Sequence, residues 1–214
     1  MAVIELARLV SGTNTQASSV DRSDACLKAI RKLQNLSPTQ DAVLIGNVPR
    51  VWPELQKYEN DNSGANTPSI FWSVPSPQFV WDDDSFEGGE IRYFAQAFKI
   101  ESLDEHTIFV AVFADNAHRL FIEERTGGNS VIKTFNPKGG FEDGLMVASA
   151  SFTDDTTTPF NWQKIRLWSS DDIRPVSTDN YLVFSFEVLN YDTTDTLNPA
   201  GLAYFIDIYR RETD

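Results

Sequence analysis

The chain is poor in the residues that carry most catalytic and cross-linking chemistry. Its 214 residues include one cysteine, Cys26, which excludes an internal disulfide framework and leaves a buried apolar thiol or an intermolecular link as its readings. There are two histidines, His106 and His118, and neither lies in a His-Glu-x-x-His frame or beside a nucleophile. No Gly-x-x-x-x-Gly-Lys loop, Gly-x-Ser-x-Gly elbow or zinc-type cysteine pair occurs. No apolar run approaches the ~20 residues of a membrane span. The opening Met1–Val10 lacks the basic, apolar and small-residue order of a secretory leader, so synthesis in a cytoplasm is expected. These absences point away from an enzyme.

Positive charge is also scarce. Eighteen Lys and Arg stand against 31 Asp and Glu, a net charge of −13. That balance disfavours phosphate backbones and anionic membrane surfaces as partners. The shortage is uneven. Residues 1–51 contain no Phe, Trp or Tyr, and their four acids and six bases leave them at +2, so the remainder carries −15. Two differently built regions are expected, an N-terminal arm with a loop-rich connector over 1–67 and a folded body over 68–214.

What is present argues for β-structure. Residues 181–189 place Leu182, Phe184, Phe186 and Val188 on one face, and 202–209 place Tyr204, Ile206 and Ile208 on one face. Further strands are expected at 91–99, 107–114, 118–124, 130–135, 145–152 and 162–168, separated by Gly-, Asp- and Thr-rich turns. Gly127-Gly128 and Gly139-Gly140 read as hairpin turns. Eight short strands is the jelly-roll count. The expected fold is all-β, a jelly-roll β-sandwich with a short helical N-terminal extension.

In the arm, residues from Asp21 to Leu36 read as a helix with Asp21 or Ser23 as its cap and Pro38 beyond its end. Cys26, Ile30 and Leu33, with Leu27 alongside, form an apolar stripe. A helix this short must dock, either on its own sandwich or on a neighbouring subunit. Residues 42–46 read as a short buried strand.

The stretch Arg92-Tyr93-Phe94-Ala95-Gln96-Ala97-Phe98, followed by Phe109–Asn116, and the closing Leu189-Asn190-Tyr191 and Asn198–Ala203 segments, resemble the galactose-binding-domain-like jelly rolls over roughly residues 68–211. The resemblance implies a β-sandwich and calcium as a candidate loop staple. Acidic loops at Asp82-Asp83-Asp84, Asp154-Asp155, Asp171-Asp172 and Asp192 with Asp195 suit an oxygen-seeking ion, although no Asp-x-Asp-x-Asp-Gly loop occurs.

Three functional classes follow. One is a non-enzymatic structural or attachment subunit of a virion-type or extracellular surface assembly, the arm anchoring it through Cys26, Leu27, Ile30 and Leu33 to protein partners. The second is a carbohydrate-binding module in which Trp72 and Trp81, with Asp82, Asp83 and Asp84, meet a glycan. Trp52, Trp162 and Trp168 are the other aromatic candidates, and Trp168 lies in an alternating strand with Ile165 and Leu167, so at least one of these three faces a core. The third, an acid-pair glycoside hydrolase, needs two carboxylates at a set separation, and a chain this acidic supplies chance pairs freely.

Overall fold

The computed structural model describes residues 3–46, 52–55, 69–83, 86–136, 142–143, 164–192 and 198–212. In chain order the elements are β1 (Val3–Val10), β2 (Gln16–Ser18), α1 (Arg22–Gln34), β3 (Val43–Leu44), a 3-10 turn (Ile70–Ser73) and β4 (Val80–Trp81). They continue with β5 (Ile91–Lys99), β6 (His106–Asp115), β7 (Ala117–Arg125), β8 (Val131–Thr134), β9 (Glu142–Asp143), β10 (Arg166–Ile173), β11 (Tyr181–Leu189) and β12 (Gly201–Arg211).

Two six-stranded antiparallel sheets face each other. The first runs β10-β6-β12, and the far edge of β12 is shared by β1, which pairs with Phe205–Arg211, and β4, which meets Leu202 and carries β3. The second runs β2-β5-β11-β7, with β8 and β9 on the outer edge of β7. From β5 onward successive long strands change sheet, β5, β7 and β11 lying in the second and β6, β10 and β12 in the first. This is the wrap expected of a jelly roll.

Strand alternation places the core between the sheets. Leu182, Phe184, Phe186 and Val188 meet Ile108, Val110, Val112, Leu202, Tyr204, Ile206 and Ile208, all essentially excluded from solvent. Phe186 stacks on Tyr204 with centroids 4.5 Å apart, and the Tyr204 hydroxyl, on the opposite sheet from β5, donates to Gln96 Oε1 at 3.0 Å and meets Thr15 Oγ1 at 2.9 Å. A buried hydroxyl without such partners costs roughly 1–3 kcal/mol, so this bridge fixes the relative placement of the two sheets.

The outer faces are covered as well. On the second sheet α1 buries Ala25, Cys26, Ala29 and Ile30 against Ala95, Ala97, Tyr181 and Val183. Asp21 caps the helix by accepting from Asp24 N–H at 2.7 Å, and Asn35 ends it in a left-handed conformation at φ 56°. On the first sheet Arg8 of β1 stands opposite Asp207 of β12 and donates to it twice, at 2.5 and 2.7 Å. The side chains are 4% and 3% exposed because Phe71 of the 3-10 turn and Phe205 close over the guanidinium at 4.6 and 5.2 Å.

Several expectations are corrected. The body does not begin near residue 67: β1 and β2 belong to the two sheets, because Leu6, Ala7 and Leu9 find core neighbours there and the pairing satisfies their backbone groups. β1 was not among the expected strands. The strand expected at 162–168 runs instead over Arg166–Ile173, with Trp168 packed on the core and Leu167 65% exposed. The buried strand expected at 42–46 is two residues long, with Leu44 exposed. The expected strand 145–152 and the Gly139-Gly140 turn lie outside the described residues. Thr126–Ser130 does form the hairpin turn between β7 and β8.

Replacing Arg8 by alanine strands the Asp207 carboxylate under Phe71. The expected loss is about 3–5 kcal/mol in urea unfolding, whereas Arg8→Met combined with Asp207→Leu restores most of it. Equal losses in the single and double variants would show that the missing pair itself, and not a stranded carboxylate, accounts for the loss.

Candidate functional site

The residues expected to form a sugar site are not brought together. Trp81 is fully buried, its ring 5.6 Å from Phe94 and its Nε1–H donating to Glu90 Oε1 at 3.2 Å. Asp82 is 6% exposed and pairs with Arg92 Nε at 2.6 Å, and Arg92 Nη2 meets Glu90 Oε2 at 2.6 Å. Burial pushes the Asp82 carboxyl up while Arg92 pulls it back. Trp81, Asp82, Glu90 and Arg92 therefore clasp β4 of one sheet to β5 of the other, and the aromatic face is spent on the core. Asp83 is exposed, and Asp84 lies outside the described residues. Trp72 sits elsewhere, on the 3-10 turn whose Phe71 meets Tyr209, whereas Trp81 follows Val80, which pairs with Leu202. Seven strand residues separate those two positions of β12, roughly 23 Å at the rise of a strand.

The stripe expected to anchor an assembly is also occupied. Cys26 and Ile30 are buried on the chain's own second sheet, Leu27 is half-buried, and only Leu33, at 47%, is exposed. A thirteen-residue helix needs a packed face, and its own sheet supplies one. Arg22 completes the docking by donating to Glu123 at 2.7 Å and to Ser185 Oγ at 3.3 Å while lying 4.0 Å over the Phe121 ring. Burial raises the Cys26 thiol pKa, against the pull of Arg125 and Arg22, so the sulfur is held as an unreactive thiol.

Several other buried titratable groups are tied to protein partners. Asp115 accepts from Trp52 Nε1 at 2.9 Å and Asn116 Nδ2 at 2.6 Å, and its burial raises its pKa well above the usual carboxylate range. Glu124 accepts from Val176 N–H, Ser177 N–H and Asn180 Nδ2, organising the loop between β10 and β11. Burial pushes the Glu123 carboxyl up, but hydrogen bonds from Arg22 and Arg125 overcome it and leave it below its ordinary value. His106 Nδ1 is 2.7 Å from Asp104 O, and burial lowers this histidine too. His118 is depressed to about 3 by burial, with Arg166 adding to the effect.

Among the described residues no group of three or more His, Cys, Asp or Glu is arranged to hold a metal ion. In the acidic loops considered for calcium, Asp82 pairs with Arg92, Asp171 with Arg211 and Asp172 with Arg174. Asp154, Asp155 and Asp195 lie outside the described residues, and Asp192 is exposed. Among the described residues no helix is long and apolar enough to cross a membrane.

Among the described residues, aromatic side chains reach solvent at Phe86 and on two further surfaces. One is the 3-10 turn, where Ile70 and Trp72 are 49% and 44% exposed and Val3 of the adjoining β1 is 61% exposed. The turn is firmly seated. Ile70 N–H donates to Glu5 Oε2 at 2.9 Å, Ser69 Oγ accepts from Phe71 N–H at 3.1 Å, and Phe71 is buried over Arg8. The other is the row of the second sheet beside the start of α1, where Tyr93, Arg119 and Glu187 are each half-buried. Sequence reasoning missed this second surface, because alternation assigns faces but not the register that makes these three residues neighbours.

No protein-family model and no curated protein matches the chain. Among solved structures, an isomalto-dextranase of Arthrobacter globiformis T6 complexed with panose is similar over 62% of this chain and 19% of that one, at 8% identity and a TM-score of 0.33. The chain thus spans less than a fifth of that enzyme's length.

The histidines set a pH dependence. Both are held neutral in the fold, so the unfolded chain binds more protons once the pH falls below 6.5. The His118 contribution is fully present above that value and is lost as pH falls toward about 3, and that of His106 is lost in the same direction. Glu123 adds a loss of the same sign only below its ordinary 4.5. Asp115 and Asp82, raised by burial, act in the opposite direction above 3.8, so the histidine share is read as a difference: His118→Gln is expected to lower the slope of unfolding free energy against pH between 4.5 and 6.5. An unchanged slope in the variant would exclude His118 as its source.

Proposed function

We propose that the chain is a non-catalytic structural and attachment subunit of a larger assembly, of the virion or extracellular surface type. The observation that carries this reading is Trp72, nearly half exposed on a turn whose neighbour Phe71 is buried and whose backbone is bound to Glu5. An exposed tryptophan on a rigid base loses little conformational entropy when it docks, which is the character of an interface hot spot. Ile70 and Val3 extend the apolar surface around it, with Arg and acid pairs toward the C-terminal end of β12 as a polar margin.

The attachment face in this reading is the junction of β1 with the 3-10 turn, in place of the α1 stripe. The acidic charge of the chain suits a body that faces solvent. The likeness to galactose-binding-domain-like jelly rolls belongs to the same proposal: its sequence marks fall on β5, β6, the turn into β7 and the closing pair β11 and β12. That family frame is consistent with a binding role.

Light scattering of the full chain after size exclusion, over increasing concentration, tests the reading. A defined oligomer is expected, and Trp72→Ala should return it to monomer while the variant stays folded by thermal unfolding. A monomer at every concentration, or an oligomer indifferent to Trp72→Ala and Ile70→Ser, would overturn it.

A further inference from the structure

The edge strands of a sheet can template a further strand, and folded proteins blunt them with shortness, charge or irregularity. Most edges here carry such a device. β10 exposes Ser169, Asp171 and Asp172 and breaks register between Ser170 and Ile173. β8 is four residues long and carries Lys133, and β3 and β9 are two residues each. β2 is three residues long and is bridged from Gln16 to Asp41. β1 is the exception. It runs eight residues without proline, glycine or lysine, and among the described residues β12 is its one strand partner. Its two charges are turned to the chain's own groups, Arg8 to Asp207 and Glu5 to Ile70 N–H.

The one irregularity of β1 gives this edge a symmetry. Register against β12 shifts between Glu5 and Ala7, so Leu6 and Ala7 both turn to the core, as Leu9 does. Val3, Glu5, Arg8 and Val10 stand opposite Arg211, Tyr209, Asp207 and Phe205, alternate residues on the outer face, where Phe71 meets both Tyr209 and Arg8. Ile4, opposite Arg210, falls on the core side. From either end the strand therefore presents one series. Val3 and Val10 point outward, Ile4 and Leu9 inward, Glu5 and Arg8 outward, Leu6 and Ala7 inward. In an unbroken strand each of these pairs, an odd number of residues apart, would be split between opposite faces. The shift brings them to the same face, and the two charges are of opposite sign.

We propose that β1 pairs with β1 of a second copy of this chain, antiparallel about a twofold axis between Leu6 and Ala7. The proposal rests on the attachment reading above and gives it a partner and a register. A twofold axis normal to the sheet keeps outer face with outer face and core side with core side. Val3 then faces the second copy's Val10, Ile4 its Leu9, Glu5 its Arg8 and Leu6 its Ala7. Each contact joins apolar to apolar or charge to opposite charge, and no like charges stand opposite one another. A chain of other sequence has no reason to repeat this series, which is why the occupant is a second copy. Ile70 and Trp72, held at Glu5 through Ile70 N–H, flank the junction and supply apolar surface that a strand pair alone lacks.

Disulfide trapping in the full chain tests the register, because native Cys26 is buried between α1 and the second sheet. Val3→Cys and Val10→Cys in one chain cannot bond to each other, since seven residues of strand span roughly 23 Å. The proposed register sets each within disulfide reach of its counterpart on the second copy. Mild oxidation is expected to give a covalent dimer from the double variant and little from either single variant, whose identical positions lie far apart across the axis. Glu5→Lys sets like charges opposite each other twice and should weaken dimerisation about tenfold by light scattering. Thermal unfolding checks that each variant is folded, and the cysteine pair carries the test if Glu5→Lys is not. An oligomer that is lost with Trp72→Ala, yet gives no covalent dimer from the double variant, would overturn the β1 pairing and leave the attachment reading standing. Equal trapping in single and double variants would overturn the register. A chain that is monomeric at every concentration would sink both readings.

Discussion

The architecture depends on the ion pair between Arg8 and Asp207. It joins the first described strand to the last one, 199 residues apart in sequence, on the outer face of a sheet where neither charge meets bulk water. A charged pair in that position is stable only when both groups satisfy each other and are sealed. Phe71 supplies the seal, and in doing so it fixes the 3-10 turn that carries Trp72. One electrostatic constraint thus sets the edge of the sheet, the lid over it and the orientation of an exposed aromatic.

Other buried charges are used in the same manner. Arg92 bridges Asp82 and Glu90 where the two sheets meet, Glu123 receives Arg22 from the helix and Arg125 from its own strand, and Glu124 gathers donors from the loop before β11. Each links elements that hydrophobic contact alone would allow to slide. The acidity of the chain has two origins on this view. Buried carboxylates organise the fold through arginines and backbone donors, while exposed ones such as Asp83 and Asp172 meet solvent.

Much of this was legible in the residues. β5 and β11 occupy 91–99 and 181–189 as expected, because their alternation is strong and their flanks carry turn residues. The helix was legible through its Asp21 cap and apolar stripe. The partner of that stripe was not, since a pattern reports which face is buried and says nothing of what covers it. Trp81 and Asp82 failed as a site for a related reason. Loop composition around them suggested exposure, yet β4 pairs through Val80 with Leu202 and through Trp81 with Val43, Trp81 is buried, and Asp82 reaches an arginine ten residues along the chain. The row Tyr93, Glu187 and Arg119 on the second sheet depends on register across three strands, which composition does not encode.

The pairing of Val3 with Arg211 has a geometric outcome beyond stability. The polypeptide enters and leaves this body at neighbouring points on one sheet edge. A module with that property can be spliced into a surface loop of a host chain as a closed cassette, adding a bulky side body without prising the two ends of the loop apart.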